Sequence, residues 1–160
     1  MLLLDTDHLF SQADEYENQG DYKRAFELFM KGALLNDTDC MSKIGYYYDL
    51  GLYVRKNKSK AMYWYKKAYR QYDIVSPINI AIIYEEKREW KKALWWFHKA
   101  VAMGNKDGFF HIASLYHRGR GVQRNIRTAI NYYKKAYYSG EICESLEDKI
   151  ERILTKMAAL

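Results

Sequence analysis

Four histidines carry the side chains best suited to proton or metal chemistry near neutral pH: His8, His98, His111 and His117. None has a partner at a useful spacing. His111 and His117 stand six residues apart, about 120° away from a shared helix face, so they do not chelate one ion as an i, i+4 pair does. Ser11, Ser42, Ser76 and Ser114 lack the glycines of a nucleophile elbow. Gly119, Arg120 and Gly121 have neither the remaining glycines of a dinucleotide fingerprint nor the Lys-Ser/Thr of a phosphate loop. Cys40 and Cys143 are lone and far apart, as reduced thiols in a reducing compartment are. These patterns predict a protein that is not an enzyme and holds no metal or cofactor.

A second chemistry comes from lysines set among aromatics. Residues 63–69 read YWYKKAY and residues 131–137 read NYYKKAY. Such a mixture can neutralise phosphates and stack on bases. Charge is also segregated. Residues 1–39 hold nine acids and three bases, residues 40–140 hold six acids and twenty bases, and residues 141–160 hold five acids and three bases. Segregation on this scale points to separate surfaces with separate purposes. The other reading of the two stretches is architectural: they are copies of one building block.

Four copies align. They run AFELFMKG from Ala25, AMYWYKKA from Ala61, ALWWFHKA from Ala93 and AINYYKKA from Ala129, with starts 36, 32 and 36 residues apart. The first residue is Ala, the fourth and fifth are large, the seventh is Lys and the eighth is Ala or Gly. Upstream, Ala13, Gly45, Ala81 and Ala113 are each followed three residues later by Tyr16, Tyr48, Tyr84 and Tyr116. From that tyrosine to the next Ala the gap alternates, 9, 13, 9 and 13 residues. The extra four residues lie in glycine-containing basic loops. Small residues let two helices approach to about 8–10 Å while bulky neighbours fill the space beside them. Each helix pair exposes an apolar face, so successive pairs must stack into a solenoid.

Ile142, Leu146, Ile150, Ile153, Leu154 and Met157 give the last segment one apolar face, suited to closing the stack. Asp21 and Ser59 are expected as N-caps of second helices, and Gly20, Gly104 and Gly140 as helix ends. Ser76 with Pro77 reads as a cap and first turn. No apolar run approaches the roughly 20 residues of a membrane span. MLLLD is shorter than the roughly 7–15-residue core of a secretory signal, so the expected location is the cytoplasm, with no membrane partner.

This small–large pattern, with its tyrosine and alternating loops, resembles tetratricopeptide repeats and their relatives, the Sel-one-like repeats, over roughly residues 5–140. Copies one and three are similar to the first in spacing; copies two and four, with LG or RGRGV before the second helix, to the second. The expected fold is all-α: a right-handed α-solenoid of four antiparallel helix pairs plus a C-terminal capping helix. It forms a single repeat domain over 1–160, with repeats at 5–36, 37–72, 73–104 and 105–140 and the capping helix at 141–157. The sequence departs from the pattern at Gln12 and at Gly32, where glycine in a helix interior costs about 1 kcal/mol against Ala.

In the resembled families the first helices line a concave groove that binds protein. Carried onto this sequence, the groove comprises Phe10, Asp14, Glu17, Ser42, Tyr46, Asp49, Ile78, Ile82, Glu85, Phe110, Ser114 and His117, flanked by Asp7, Asp39, Val75 and Asp107. Seven of these sixteen are acidic and none is Lys or Arg. The expected partner is another protein with a basic surface, either a toxin or effector that the chain neutralises as an immunity protein or a regulatory protein that it scaffolds. The motif lysines Lys31, Lys67, Lys99 and Lys135 are expected on the outer wall, their stems over aromatic edges. The alternative is nucleic-acid binding through Arg55, Lys56, Lys58, Arg118, Arg120 and Arg124.

Overall fold

The structure is a computed structural model that describes residues 6–139 and 144–158. All regular structure among those residues is helical: α1 (Thr6–Asn18), α2 (Tyr22–Leu34), α3 (Thr38–Leu50), α4 (Lys58–Tyr69), α5 (Ser76–Glu86), α6 (Trp90–Ala102), α7 (Gly108–Arg118), α8 (Ile126–Tyr138) and α9 (Glu144–Ala158). The chain forms two compact units, Met1–Ser76 and Pro77–Leu160.

One hydrogen bond recurs at every hairpin. The residue before the second helix donates its N–H to the carbonyl of the repeat tyrosine: Asp21 to Tyr16 (2.9 Å), Asn57 to Tyr48 (2.7 Å), Glu89 to Tyr84 (2.9 Å) and Asn125 to Tyr116 (3.0 Å). Long and short loops thus end on the same backbone contact. Above three of these tyrosines sits the cation that precedes the motif Ala: Arg24 over Tyr16 at 5.3 Å, Lys60 over Tyr48 at 5.0 Å and Lys92 over Tyr84 at 5.4 Å. Repeat four has Thr128 there, and Tyr116 instead stacks on Tyr132.

Asp21 caps α2 through a bond from Arg24 N–H. Ser59 does not cap α4; that role belongs to Asn57, whose side chain accepts from Lys60 N–H, as Asn125 accepts from Thr128 N–H in α8. Ser59 lies two residues too far along because the long loop closes at the asparagine. Ser76 opens α5, but its N–H is capped by the Asp73 carboxylate at 2.6 Å. Gly20 and Gly104 take left-handed backbone angles after α1 and α6, while Gly140 lies outside the described residues.

In unit 1 the core joins Ala13, Ala25, Phe29, Ala33, Cys40, Met41, Ile44, Tyr47 and Ala68. The fit leaves no slack at Gly45, where an added Cβ would stand 2.6 Å from the Tyr65 ring. Gly32, a departure by sequence, is required by packing: a Cβ there would meet Cys40 Sγ at 2.3 Å. In unit 2, Ile78, Ala81, Ala93, Phe97, Ala100, Ile112 and Leu115 form one cluster, and Ala113, Ala129, Tyr133, Ala136 and Ile150 another. Ile150, with Ile153 and Leu154 beside that second cluster, docks α9 on the preceding repeat. Ile142 and Cys143 lie outside the described residues.

Candidate functional site

The first helices of unit 1 carry the face predicted to bind. Phe10 is half-buried against the core, and Tyr46 is 41% exposed. The acids on this face are less available than their positions imply. Lys43, two residues before Gly45, reaches back to bridge Glu17 and Asp14, the latter at 3.2 Å. Its ammonium also lies 5.2 Å from the Phe29 ring centroid and 5.9 Å from that of Phe10. Burial pulls the Lys43 pKa down, but the bonds to Glu17 and Asp14 outweigh it and leave a net upward shift. Glu17 is the more enclosed of the two carboxylates, with 16% of its side chain exposed against 43% for Asp14.

Two further candidates in unit 1 face inward. Asp49 is only 8% exposed and pairs with Lys58 at the start of α4. Beneath it the Tyr65 phenol is pushed far up by burial and by the Asp49 charge. Ser42 hydrogen-bonds the buried Asp73 at 2.8 Å and lies 2.9 Å from Ser76 Oγ, tying α3 to the start of α5. Ser42 therefore ties one repeat to the start of the next and Asp49 joins the two helices of its own repeat, so both are engaged within the fold. Asp39 is exposed, and its carboxyl is held above the usual range by burial, then by Asp37, Asp73 and Asp7. Of the flanking aspartates, Asp37 rather than Asp39 caps α3, and the side chain of Asp107 makes no cap bond to α7.

Unit 2 repeats part of this plan. Glu85 stands at the position of Glu17, four residues after the small residue. It meets His111, which stands at the position of Lys43, with Nδ1 3.7 Å from the carboxylate. His111 lies flat on Phe97, ring centroids 4.4 Å apart. The His111 ring beside it holds Glu85 below its usual pKa, helped by Arg120 and Arg118. Ile78, at 7% exposure, belongs to the core rather than to any groove, because its side chain joins the cluster around Phe97. Ile82 is half-buried against the same cluster, and Val75 is exposed at the end of unit 1. Phe110 and His117 both contact Tyr133, and Ser114 is half-buried beside them in α7. Burial, then Arg124 and Arg118, lowers the His117 pKa.

The six basic candidates also divide. Lys58 is paired with Asp49, Arg120 lies 4.6 Å over Trp90, and Arg124 donates Nε–H to the His117 carbonyl at 3.1 Å. Arg55, Lys56 and Arg118 are exposed. The motif lysines lie over rings as expected in three copies: Lys67 over Trp64, Lys99 over Trp95, and Lys135 over Tyr132 and Phe109. Lys31 is exposed.

The Sel1 repeat pattern matches residues 16–37, 38–73, 91–105 and 110–141. The chain belongs to the Sel1 repeat family. A Sel1 repeat protein from Oxalobacter formigenes superposes with a TM-score of 0.81 at 22% identity, over 95% of this chain and 63% of that one. The c5321 protective antigen of uropathogenic Escherichia coli, which displays the same repeat fold, gives 0.76 at 27% identity, over 93% and 33%. A component of an ERAD-associated E3 ubiquitin-protein ligase in Arabidopsis thaliana, HRD3B, is 27% identical over 114 residues, which is 71% of this chain but 18% of that protein. The chain thus spans less than two thirds of the length of these relatives. The fold is an all-α solenoid, and Sel1 repeats generally serve as non-catalytic protein-interaction modules. Among the described residues no helix is long and apolar enough to cross a membrane.

Reading single positions missed the partners of the Sel1 acids. Lys43 lies 26 residues after Glu17, and His111 lies 26 residues after Glu85. An acid and a base recurring at one offset in alternate repeats is a signal that the sequence contains. It becomes legible once long side chains are allowed to reach across to the next repeat.

Proposed function

We propose that this chain is a non-catalytic protein-binding module that holds a basic segment of its partner on the first-helix face of unit 1. The observation that carries the reading is Asp39. Asp39 is an exposed residue, and its pKa is raised first by partial burial of the carboxyl and then by the neighbouring carboxylates of Asp37, Asp73 and Asp7. Like charges gathered this way repel one another, and a cationic partner would relieve the repulsion. Asp14, the more exposed carboxylate of the Lys43 pair, and the aromatic rings of Phe10 and Tyr46 supply the mixture of charge and apolar anchors that interfaces use. The paired acids Glu17 and Asp49 support the scaffold of unit 1, and Glu85 that of unit 2. In the narrower form of the proposal the partner is a toxin or effector silenced by binding, with a regulatory protein as the alternative occupant of the same face.

Affinity capture from the source cells at low and high salt tests this. The expected result is one specific basic protein retained at low salt, released at high salt, and lost with Tyr46→Ala. Mass spectrometry of that protein separates a toxin from a regulatory component. Failure to retain any specific protein at either salt concentration would refute the reading.

A further inference from the structure

We infer that the long loop of unit 1 is a second binding site, a cationic cradle for a carboxylate-rich segment of a protein. Tyr48, Val54, Arg55, Lys56, Asn57 and Lys60 line an open depression of about 480 Å³. Three of the six are cations, and the ion pairs among the described residues engage none of them. The pairs in this part of unit 1 join Lys58 to Asp49 and Lys43 to Glu17 and Asp14.

The loop of unit 2 shows that the fold does not require this charge. Both loops leave their first helix through a left-handed glycine, Gly51 or Gly119. Both then press that glycine against the side chain five residues on, Lys56 or Arg124. Both end on an asparagine whose N–H bonds the repeat tyrosine. At the positions of Arg55, Lys56 and Lys60, unit 2 has Gln123, Arg124 and Thr128, and Arg124 is bound to the His117 carbonyl. The same backbone therefore closes with a glutamine and a threonine at two of these positions. Arg55 and Lys60 are thus surplus to closure of the loop, whereas a cation is kept at position 56 in both units.

The surroundings select the class of ligand. Lys60 lies over the Tyr48 ring at 5.0 Å, and Phe26 meets that ring edge-on at 5.9 Å. Lys60 thereby covers one face of the ring and competes with any base that would stack there. What remains is an apolar wall at Val54, an amide at Asn57 and three separated cations, which suits carboxylates spaced along a peptide. This site shares no residue with the Asp39 face, so either can fail alone.

The test is fluorescence anisotropy with a labelled hexaglutamate peptide. The variant Arg55→Gln/Lys56→Gln/Lys60→Thr should bind at least about tenfold more weakly than the native chain. A control that removes the same charge elsewhere, Lys23→Gln/Lys31→Gln/Lys91→Gln, should change affinity by less than about twofold. Arg55→Gln alone places unit 2's residue in an exposed loop and decides the question if the triple variant does not fold; about a threefold loss is expected. The inference is overturned if the native chain shows no saturable binding, or if variant and control lose affinity equally. Displacement of the peptide by equimolar inorganic phosphate, or tighter binding of oligouridylate at the same residues, would overturn the assignment to carboxylates.

Discussion

Unit 1 ties Glu17 to a lysine, whereas unit 2 ties Glu85 to a histidine at the same two places in the repeat. The lysine carries its charge throughout the physiological range and also bridges Asp14. The histidine presents a full positive charge only when protonated, and it is held flat against Phe97. A shared position thus performs one task, fastening a repeat to the next, with two chemistries that respond differently to pH. The comparison also explains why acids on the first helices are not all partner contacts. A carboxylate four residues beyond the small residue of an odd repeat is consumed inside its own unit.

The sharpest way to separate the units is through their long loops. Position 121 is glycine at φ +72°, and a Cβ there would meet the Trp90 backbone at 2.7 Å. The equivalent position in unit 1 is Tyr53 at φ +58°, its ring packed on Phe26. Gly121→Ala should destabilise by about 2–5 kcal/mol, from the left-handed backbone and the overpacking together. Tyr53→Gly should stay within about 1 kcal/mol of the native chain, since released strain offsets lost ring contact. Urea unfolding of the two variants checks the ranking.

Lys43→Met leaves Glu17 and Asp14 without their cation and should lose about 1–3 kcal/mol. His111→Gln at pH 8 should lose less than about 1 kcal/mol, because it removes one contact of 3.7 Å where Lys43→Met removes bridges to two carboxylates. Equal losses in both variants would erase the proposed difference between the fasteners.

Smaller effects are expected from pH. Glu85 has a lowered folded pKa, so its contribution is present above the unfolded value near 4.5 and disappears as pH falls through the folded pKa. Glu85→Gln should therefore flatten the acid limb of a stability profile. Asp39 has the opposite sign: its raised pKa makes the charged form unfavourable in the fold, and acidification relieves it. Asp39→Asn should accordingly be neutral or slightly stabilising at pH 7. Denaturant midpoints between about pH 3 and 7 distinguish the two.

The architecture was legible because small and aromatic residues recur at helical spacing in all four copies. The fifth motif residue, Phe29, Tyr65, Phe97 or Tyr133, is buried every time, and the small residues opposite are buried too. Individual positions on the binding face were less legible. Ile78 and Asp49 share the register of half-buried residues in the other repeats, yet Ile78 is drawn into the Phe97 cluster and Asp49 is drawn in by Lys58. Ser42 disappears into a hydrogen-bonded group completed by Asp73, a residue 31 positions away. Such contacts depend on the reach of side chains from the next element, which periodicity does not encode. Ser59 failed as a cap for a related reason: residue type favours serine, but the loop closes at Asn57.

The central claim is a division of labour in unit 1, with Glu17 fastening repeats and Asp39 meeting the partner. The direct test measures urea stability and affinity for the captured partner in Glu17→Gln and Asp39→Asn. The account predicts that Glu17→Gln loses stability and keeps its affinity within about twofold, while Asp39→Asn keeps its stability and loses affinity. The reverse pattern, with Glu17→Gln weakening the complex and Asp39→Asn leaving it unchanged, would contradict it.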